Sequence, residues 1–308
     1  CLVLMNHSCF MDLEIAESVL YPRPLNIICT SDGFVGKSWL MRRIGCIPTN
    51  KFVSDFIMVK NMKFALDKLK SSVLMYPEAS YSFDGTATPL PATLGRCLKI
   101  LNVPVVMIKT YGAFARNPLY NNLQVRNVNV SADVKYLLSP QEIQEKSSDE
   151  LNEILRKEFT FDNWKWQQKN KISISENFRA DCLNRVLYKC PCCGEEGKML
   201  GKATNLTCKS CGSKWTLTEN GFLAPEFNSV IENFESDFTH IPDWYKWQRY
   251  CVQQELKEDK YLLDIDVDIY MMVNTKAVYQ VGEGHLVHSK NGFVLDGCNG
   301  KLHYEQKP

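Results

Sequence analysis

The chain has 308 residues, with 36 Lys+Arg against 35 Asp+Glu, 45% hydrophobic and 23% charged residues, enough for two or three domains with cores of their own. A net charge of +1 excludes a broad electrostatic nucleic-acid binder and a polybasic membrane-adsorbing surface, leaving only local basic clusters. No run approaches the roughly 18 consecutive apolar residues that span a bilayer.

The chain opens at Cys1 with the strand-like run Leu2-Val3-Leu4-Met5, without an initiator Met or a basic signal region, and reads as a fragment whose start is missing. Apolar strands follow at 25–29, 73–76 and 103–109, interleaved with a helical stripe at Ile57, Met62, Leu66 and Leu69 and a helix over 92–101. Strand, helix, strand at this spacing predicts an α/β domain on a mostly parallel sheet flanked by helices. Period-two alternation over 127–134 suits a strand near the sheet edge. Ser139-Pro140 opens one helix, and Ser147-x-x-Glu150 is a capping box for the stripe Leu151, Ile154, Leu155 and Phe159. From Lys189 to about Asn220 the stripes vanish and Gly, Cys and Lys punctuate short strand-forming pieces, so a separate small module is expected there. An acidic linker over 230–239, a helix over 242–256 and a β-rich C-terminal part complete the chain, with turns expected at Gly282-Glu283-Gly284 and Asn291-Gly292. Of the 13 Cys, several such as Cys29, Cys46 and Cys97 lie in apolar segments that suit buried free thiols, which fits a reducing cytoplasm.

Four of the five His stand at 240 or later, so histidine chemistry in the α/β domain runs through His7. It follows the first strand in Asn6-His7-Ser8-Cys9-Phe10-Met11-Asp12, at the strand end where α/β sheets place their sites. Four intervening residues let Asp12 turn back to one imidazole nitrogen. The other nitrogen then stays free to accept a proton, which makes the pair a candidate general base with its orienter. A surface His beside a helix start is the bland alternative for an isolated pattern of this kind. A second segment changes the balance: Tyr76-Pro77-Glu78-Ala79-Ser80-Tyr81-Ser82, again at the end of a short apolar strand.

Together the two segments resemble the glycerolipid acyltransferase family, the lysophosphatidate acyltransferases and their relatives, in which N-H-x4-D precedes F-P-E-G-T-R-S. Gly45-Cys46-Ile47-Pro48-Thr49-Asn50-Lys51 resembles the family segment that serves acceptor phosphate binding, with Lys51 in the place of its arginine, and Val103-Pro104-Val105-Val106 resembles the fourth block. The resemblance covers about residues 1–115. It implies a glycerolipid acyltransferase-like fold over 1–180, with His7 and Asp12 catalytic and Lys51, Glu78, Ser80 and Tyr81 meeting substrate. It further implies acyl transfer from acyl-CoA or acyl carrier protein to the hydroxyl of a lysophospholipid, 1-acylglycerol-3-phosphate first, by a peripheral protein on the cytoplasmic face of a membrane or in the cytoplasm. Backbone N–H groups near the helix start are expected to hold the oxyanion. Ala79 and Ser80 stand in place of Gly and Thr, and Tyr81 in place of an arginine, which makes the acceptor headgroup an open question. Lys37, Arg42 and Arg43 form a basic stretch that either assists there or is a solvated helix face. Cys9 invites a nucleophile reading, against which stands its variable place in the motif.

Cys190-x2-Cys193 and Cys208-x2-Cys211 are separated by 14 residues, each pair ending before a glycine, and suit a closed tetrahedral zinc site of structural role in a ribbon over 186–222. Two disulfides are the alternative, and Cys192 is the spare. The remaining β-rich domain is expected over 240–308. Gly33-Phe34-Val35-Gly36-Lys37-Ser38 is misspaced for a phosphate loop, His285-x2-His288 reads as ordinary strand histidines ahead of a metal pair, and Trp244, Tyr245, Trp247 and Tyr250 as a packing face ahead of a membrane-interface belt. Two rival functions stay open: an inactive acyltransferase-like scaffold whose ribbon binds nucleic acid or a protein, and an acyltransferase for a non-phosphate acceptor.

Overall fold

The computed structural model describes residues 1–50, 55–226 and 238–308. The strands are β1 (Leu2–Met5), β2 (Leu25–Thr30), β3 (Cys46–Thr49), β4 (Ser72–Met75), β5 (Val105–Tyr111) and β6 (Ser131–Leu138), then β7 (Met199–Lys202), β8 (Asn205–Cys208), β9 (Lys214–Leu217) and β10 (Leu223–Pro225), then β11 (Leu262–Val273), β12 (Ala277–Ser289), β13 (Gly292–Gly297) and β14 (Leu302–Gln306). The helices are α1 (Asp12–Leu20), α2 (Ser38–Arg43), α3 (Phe56–Asp67), α4 (Leu94–Leu101), α5 (Ala113–Arg116), α6 (Pro140–Glu145), α7 (Ser148–Phe159), α8 (Asn163–Lys169) and α9 (Ile241–Lys257). The chain divides into two compact units, one of residues 1–28 and 55–245, the other of residues 29–54 and 246–308.

In the first unit the sheet runs β2-β4-β1-β5-β6. Pairs β2·β4, β1·β4 and β1·β5 are parallel, and β6 closes the edge antiparallel to β5. The architecture is therefore α/β with a parallel-rich sheet, with antiparallel sheets elsewhere. All four residues of β1 are buried, as expected of a central parallel strand covered on both faces. The stripe on α3 is only half used: Met62 and Leu66 face the core, whereas Ile57 is 71% exposed and Leu69 lies beyond the helix. The edge strand begins at Ser131, later than the alternation suggests, because Val128 O is taken by Arg116 and not by a neighbouring strand.

Both expected caps form. Ser139 and Glu142 close a capping box on α6, and Ser147 and Glu150 close one on α7. Helix α7 then holds α4 by its side chain Asn152, whose Oδ1 accepts Gly95 N–H at 2.7 Å and whose amide donates to Ala92 O at 2.7 Å. A Cβ at Gly95 would run into Ser148 O, so a residue with a side chain could not sit there.

The Cys-rich module is the antiparallel sheet β10-β9-β8-β7. It belongs to the first unit and docks by Arg179, whose Nε donates to Leu217 O at 2.6 Å, and by Trp215, which packs edge-on to Trp244 with ring centres 4.8 Å apart. The expected linker over 230–239 lies mostly outside the described residues.

In the second unit β11-β12-β13-β14 form an antiparallel sheet, while β3 lies beside β2, whose last residues Cys29 and Thr30 belong to the same unit. Gly282-Glu283-Gly284 is not a turn: it lies inside β12, where a Cβ at Gly284 would come within 2.6 Å of Asp296 O. The β11–β12 reversal is made instead at Asn274 and Thr275, both in the left-handed region at φ 48° and 56°.

Candidate active site

Strands β4, β1 and β5 are neighbours and parallel, so the chain leaves all three on the same edge of the sheet. That geometry brings together three pieces far apart in sequence: the loop from Asn6 to Asp12, the loop from Tyr76 to Thr88, and Thr110 on β5.

Asn6 is 5% exposed and ties β1 to β5. Its Oδ1 accepts Thr110 N–H at 2.8 Å and the Thr110 hydroxyl at 3.2 Å. The next residue turns out of the sheet. His7 Nδ1 lies 2.9 Å from Asp12 Oδ2, and the same oxygen accepts Ser8 N–H at 2.6 Å and Cys9 N–H at 2.9 Å. Asp12, first residue of α1 and 1% exposed, thus fixes the ring and the loop carrying it. With Nδ1–H donating to Asp12, the Nε2 lone pair is the free acceptor of a ring whose side chain is 19% exposed.

Glu78 welds the second loop to the first. It is 5% exposed; its Oε2 accepts His7 N–H at 2.6 Å and its Oε1 accepts Thr88 N–H at 2.7 Å. Ser82 N–H returns a bond to His7 O at 2.9 Å. Burial pushes the Glu78 carboxyl up to about 7, against the pull of its two N–H donors and with a further push from Asp12. The turn that contains it places Ala79 at φ 55°, a left-handed conformation that glycine adopts without strain.

The imidazole stands between two phenol rings. Tyr76 stacks on it with centroids 4.2 Å apart and an interplanar angle of 24°, and Tyr81 lies 4.2 Å away at 47°. Phe10 continues the row at 4.9 Å from Tyr81. Beside the site, Asn6, His7, Glu78, Ser82, Thr86 and Phe161 border a hollow of about 10 Å³, room for one water and not for a substrate.

Of the residues singled out from sequence, His7, Asp12, Glu78 and Tyr81 are brought together. Ser80 is exposed, its hydroxyl 3.5 Å from Glu78 O within its own turn. Lys51 lies outside the described residues, and Lys37, Arg42 and Arg43 belong to the second unit, where Arg43 lies over the Trp39 ring. Of the N–H groups near the helix start, those of His7, Ser8 and Cys9 are already engaged, all by carboxylates. Cys9 is 1% exposed, and burial and Asp12 push its thiol up to about 12, which disqualifies it as a nucleophile at neutral pH. Thr88 and Thr110 were not read from the sequence. Thr110 had a visible signal in its place at the end of the strand beside β1.

The four cysteines of the small module form a second centre. Their sulfurs lie within 4.8 Å of one another, with Cys190 to Cys211 and Cys193 to Cys208 at 3.7 Å. Four sulfurs at about 2.3 Å from one ion stand about 3.8 Å apart, whereas a disulfide needs about 2.04 Å. All four are free thiols, so the group can hold one metal ion. Gly194 and Gly212, at φ 77° and 79°, close the two knuckles by donating to Cys190 O and Cys208 O. Cys192 is exposed and stands apart.

No family model and no curated protein matches the chain. Among solved structures the chain is similar to the crystal structure of the 1-acyl-sn-glycerophosphate (LPA) acyltransferase PlsC from Thermotoga maritima, at 17% identity over 51% of this chain and 62% of that one, with a TM-score of 0.37. The match thus spans less than two thirds of that protein's length, and a likeness of this degree transfers neither fold nor activity.

Proposed function

We propose that this chain is an O-acyltransferase that moves a fatty acyl group from the thioester of acyl-CoA or acyl carrier protein to the hydroxyl of a lysophospholipid, by general-base catalysis at His7. The observation that carries the reading is the His7–Asp12 contact of 2.9 Å, in a loop that Glu78 locks to the second motif. The sequence resemblance supports the reaction class and names 1-acylglycerol-3-phosphate as the first acceptor to assay.

In this mechanism His7 Nε2 takes the acceptor's hydroxyl proton as its oxygen attacks the thioester carbonyl. Asp12 stabilises the imidazolium that forms. The tetrahedral oxyanion then collapses, the C–S bond breaks, and the departing thiolate takes the proton back from the imidazolium. No acyl-enzyme is needed, in keeping with the inert Cys9.

The metal in this proposal is zinc, the ion that four thiolates in tetrahedral array suit best, and its role is structural because four protein ligands leave no open position. Lipid substrates imply peripheral attachment to the cytoplasmic face of a membrane. Among the described residues no helix is long and apolar enough to cross one. The test is release of free thiol from acyl-CoA on adding a lysophospholipid. His7→Ala is expected to lower it by roughly 10²–10⁴-fold with the fold intact, and near-normal turnover by that variant removes His7 from the mechanism.

A further inference from the structure

The row Phe10, Tyr81, His7, Tyr76 is continuous, each ring 4.2 to 4.9 Å from the next. Its outer end is open, since Phe10 is 57% exposed and Tyr81 is partly exposed. An acceptor approaching the imidazole edge therefore slides along an apolar aromatic shelf. The charged groups bonded into this loop are Asp12 and Glu78, both acids, and among the described residues neither has a Lys or Arg ion-pair partner. Burial, with a further push from Asp12 and Cys9, raises the Tyr81 hydroxyl above its ordinary value and keeps it neutral.

Several backbone donors of the two loops are already taken. A phosphate held beside a loop needs free N–H groups. Those of His7, Ser8, Cys9 and Thr88 go to the two carboxylates, that of Ser82 goes to His7 O, and that of Ala79 goes to Tyr76 O. A dianionic headgroup at this edge would meet the Asp12 carboxylate, a partly ionised Glu78 and no free amide at these six positions.

We infer that the acceptor presents an uncharged hydroxyl on an apolar body, and that Tyr81, tilted between His7 and Phe10, is the residue that selects it. The inference rests on the acyl-transfer reading and replaces only its phosphate-bearing acceptor.

The test uses the purified full chain with long-chain acyl-CoA and two acceptors of identical acyl chain, monoacylglycerol and lysophosphatidate, in the same neutral detergent micelles. Thiol release and product mass are followed for the wild type, His7→Ala and Tyr81→Arg. Monoacylglycerol is expected to show the higher kcat/KM, by about tenfold or more. Tyr81→Arg is expected to shift the ratio of the two acceptors toward lysophosphatidate by about tenfold or more, the worth of one charge-assisted contact. Equal or better use of lysophosphatidate by the wild type, dependent on His7, overturns the acceptor inference and leaves acyl transfer standing. An unmoved ratio in Tyr81→Arg that still turns over monoacylglycerol removes Tyr81 as the selector. Absence of His7-dependent thiol release with either acceptor overturns the acyl-transfer reading and this inference with it.

Discussion

Replacing Asp12 by asparagine keeps the side chain's shape and removes its charge. One oxygen, Oδ2, serves His7 Nδ1, Ser8 N–H and Cys9 N–H at 2.9, 2.6 and 2.9 Å, while Oδ1 is buried without a partner among the described residues. An amide placed with its oxygen at Oδ2 leaves its NH₂ buried and unpaired, at a cost of about 1–3 kcal/mol to the fold. The larger loss falls on the reaction. An imidazolium about 4 Å from a carboxylate at an effective dielectric of about 20 is held by roughly 4 kcal/mol, which the neutral amide does not supply. That converts to about 10³-fold in rate. Because the charge on His7 exists only as the proton is transferred, kcat and kcat/KM should fall together while KM holds. The assay is steady-state thiol release from acyl-CoA over a range of acceptor concentrations, with thermal unfolding of Asp12→Asn run beside it. A folded variant within tenfold of wild-type kcat would show that the aspartate does not steer the base.

Further outcomes are expected elsewhere. Glu78 is raised from 4.5 to about 7 in the folded chain, so the folded state holds a proton that the unfolded state releases between those values. Stability should therefore fall by about 3 kcal/mol as pH rises from 4.5 to 7 and level off above; a melting temperature that climbs over that window in wild type relative to Glu78→Gln contradicts the assignment. Chelation or Cys208→Ser should remove one metal ion per chain and red-shift Trp215, which is 1% exposed on β9; elemental analysis finding no stoichiometric metal refutes the site. Ala79→Gly should raise stability by up to about 1 kcal/mol, because the residue sits at φ 55°, and a lowered melting temperature would count against strain there.

Local features were legible in advance. The helix start at Ser139 and the capping box at Ser147 formed because a cap involves groups only three residues apart, and β1 was visible as an unbroken apolar run. The reach of Asp12 to His7 followed from the four-residue spacing. The CxxC pairs marked their own convergence, since each knuckle is a local turn. Gly282 and Gly284 misled, because glycine serves turns and close strand approach alike, and only the position of β13 against β12 separates the two.

What the residues determined unaided is the chemistry on offer: one imidazole with a carboxylate in reach, and four thiols in two pairs. The tertiary structure decided how that chemistry is enclosed. Parallel pairing of β4, β1 and β5 put Glu78 under the His7 backbone and Tyr76 and Tyr81 against its ring, although His7 and Glu78 stand 71 positions apart in the sequence. It also engaged the amide of His7, which no spacing rule announces, since a backbone donor looks the same in every residue until a neighbouring loop brings its acceptor.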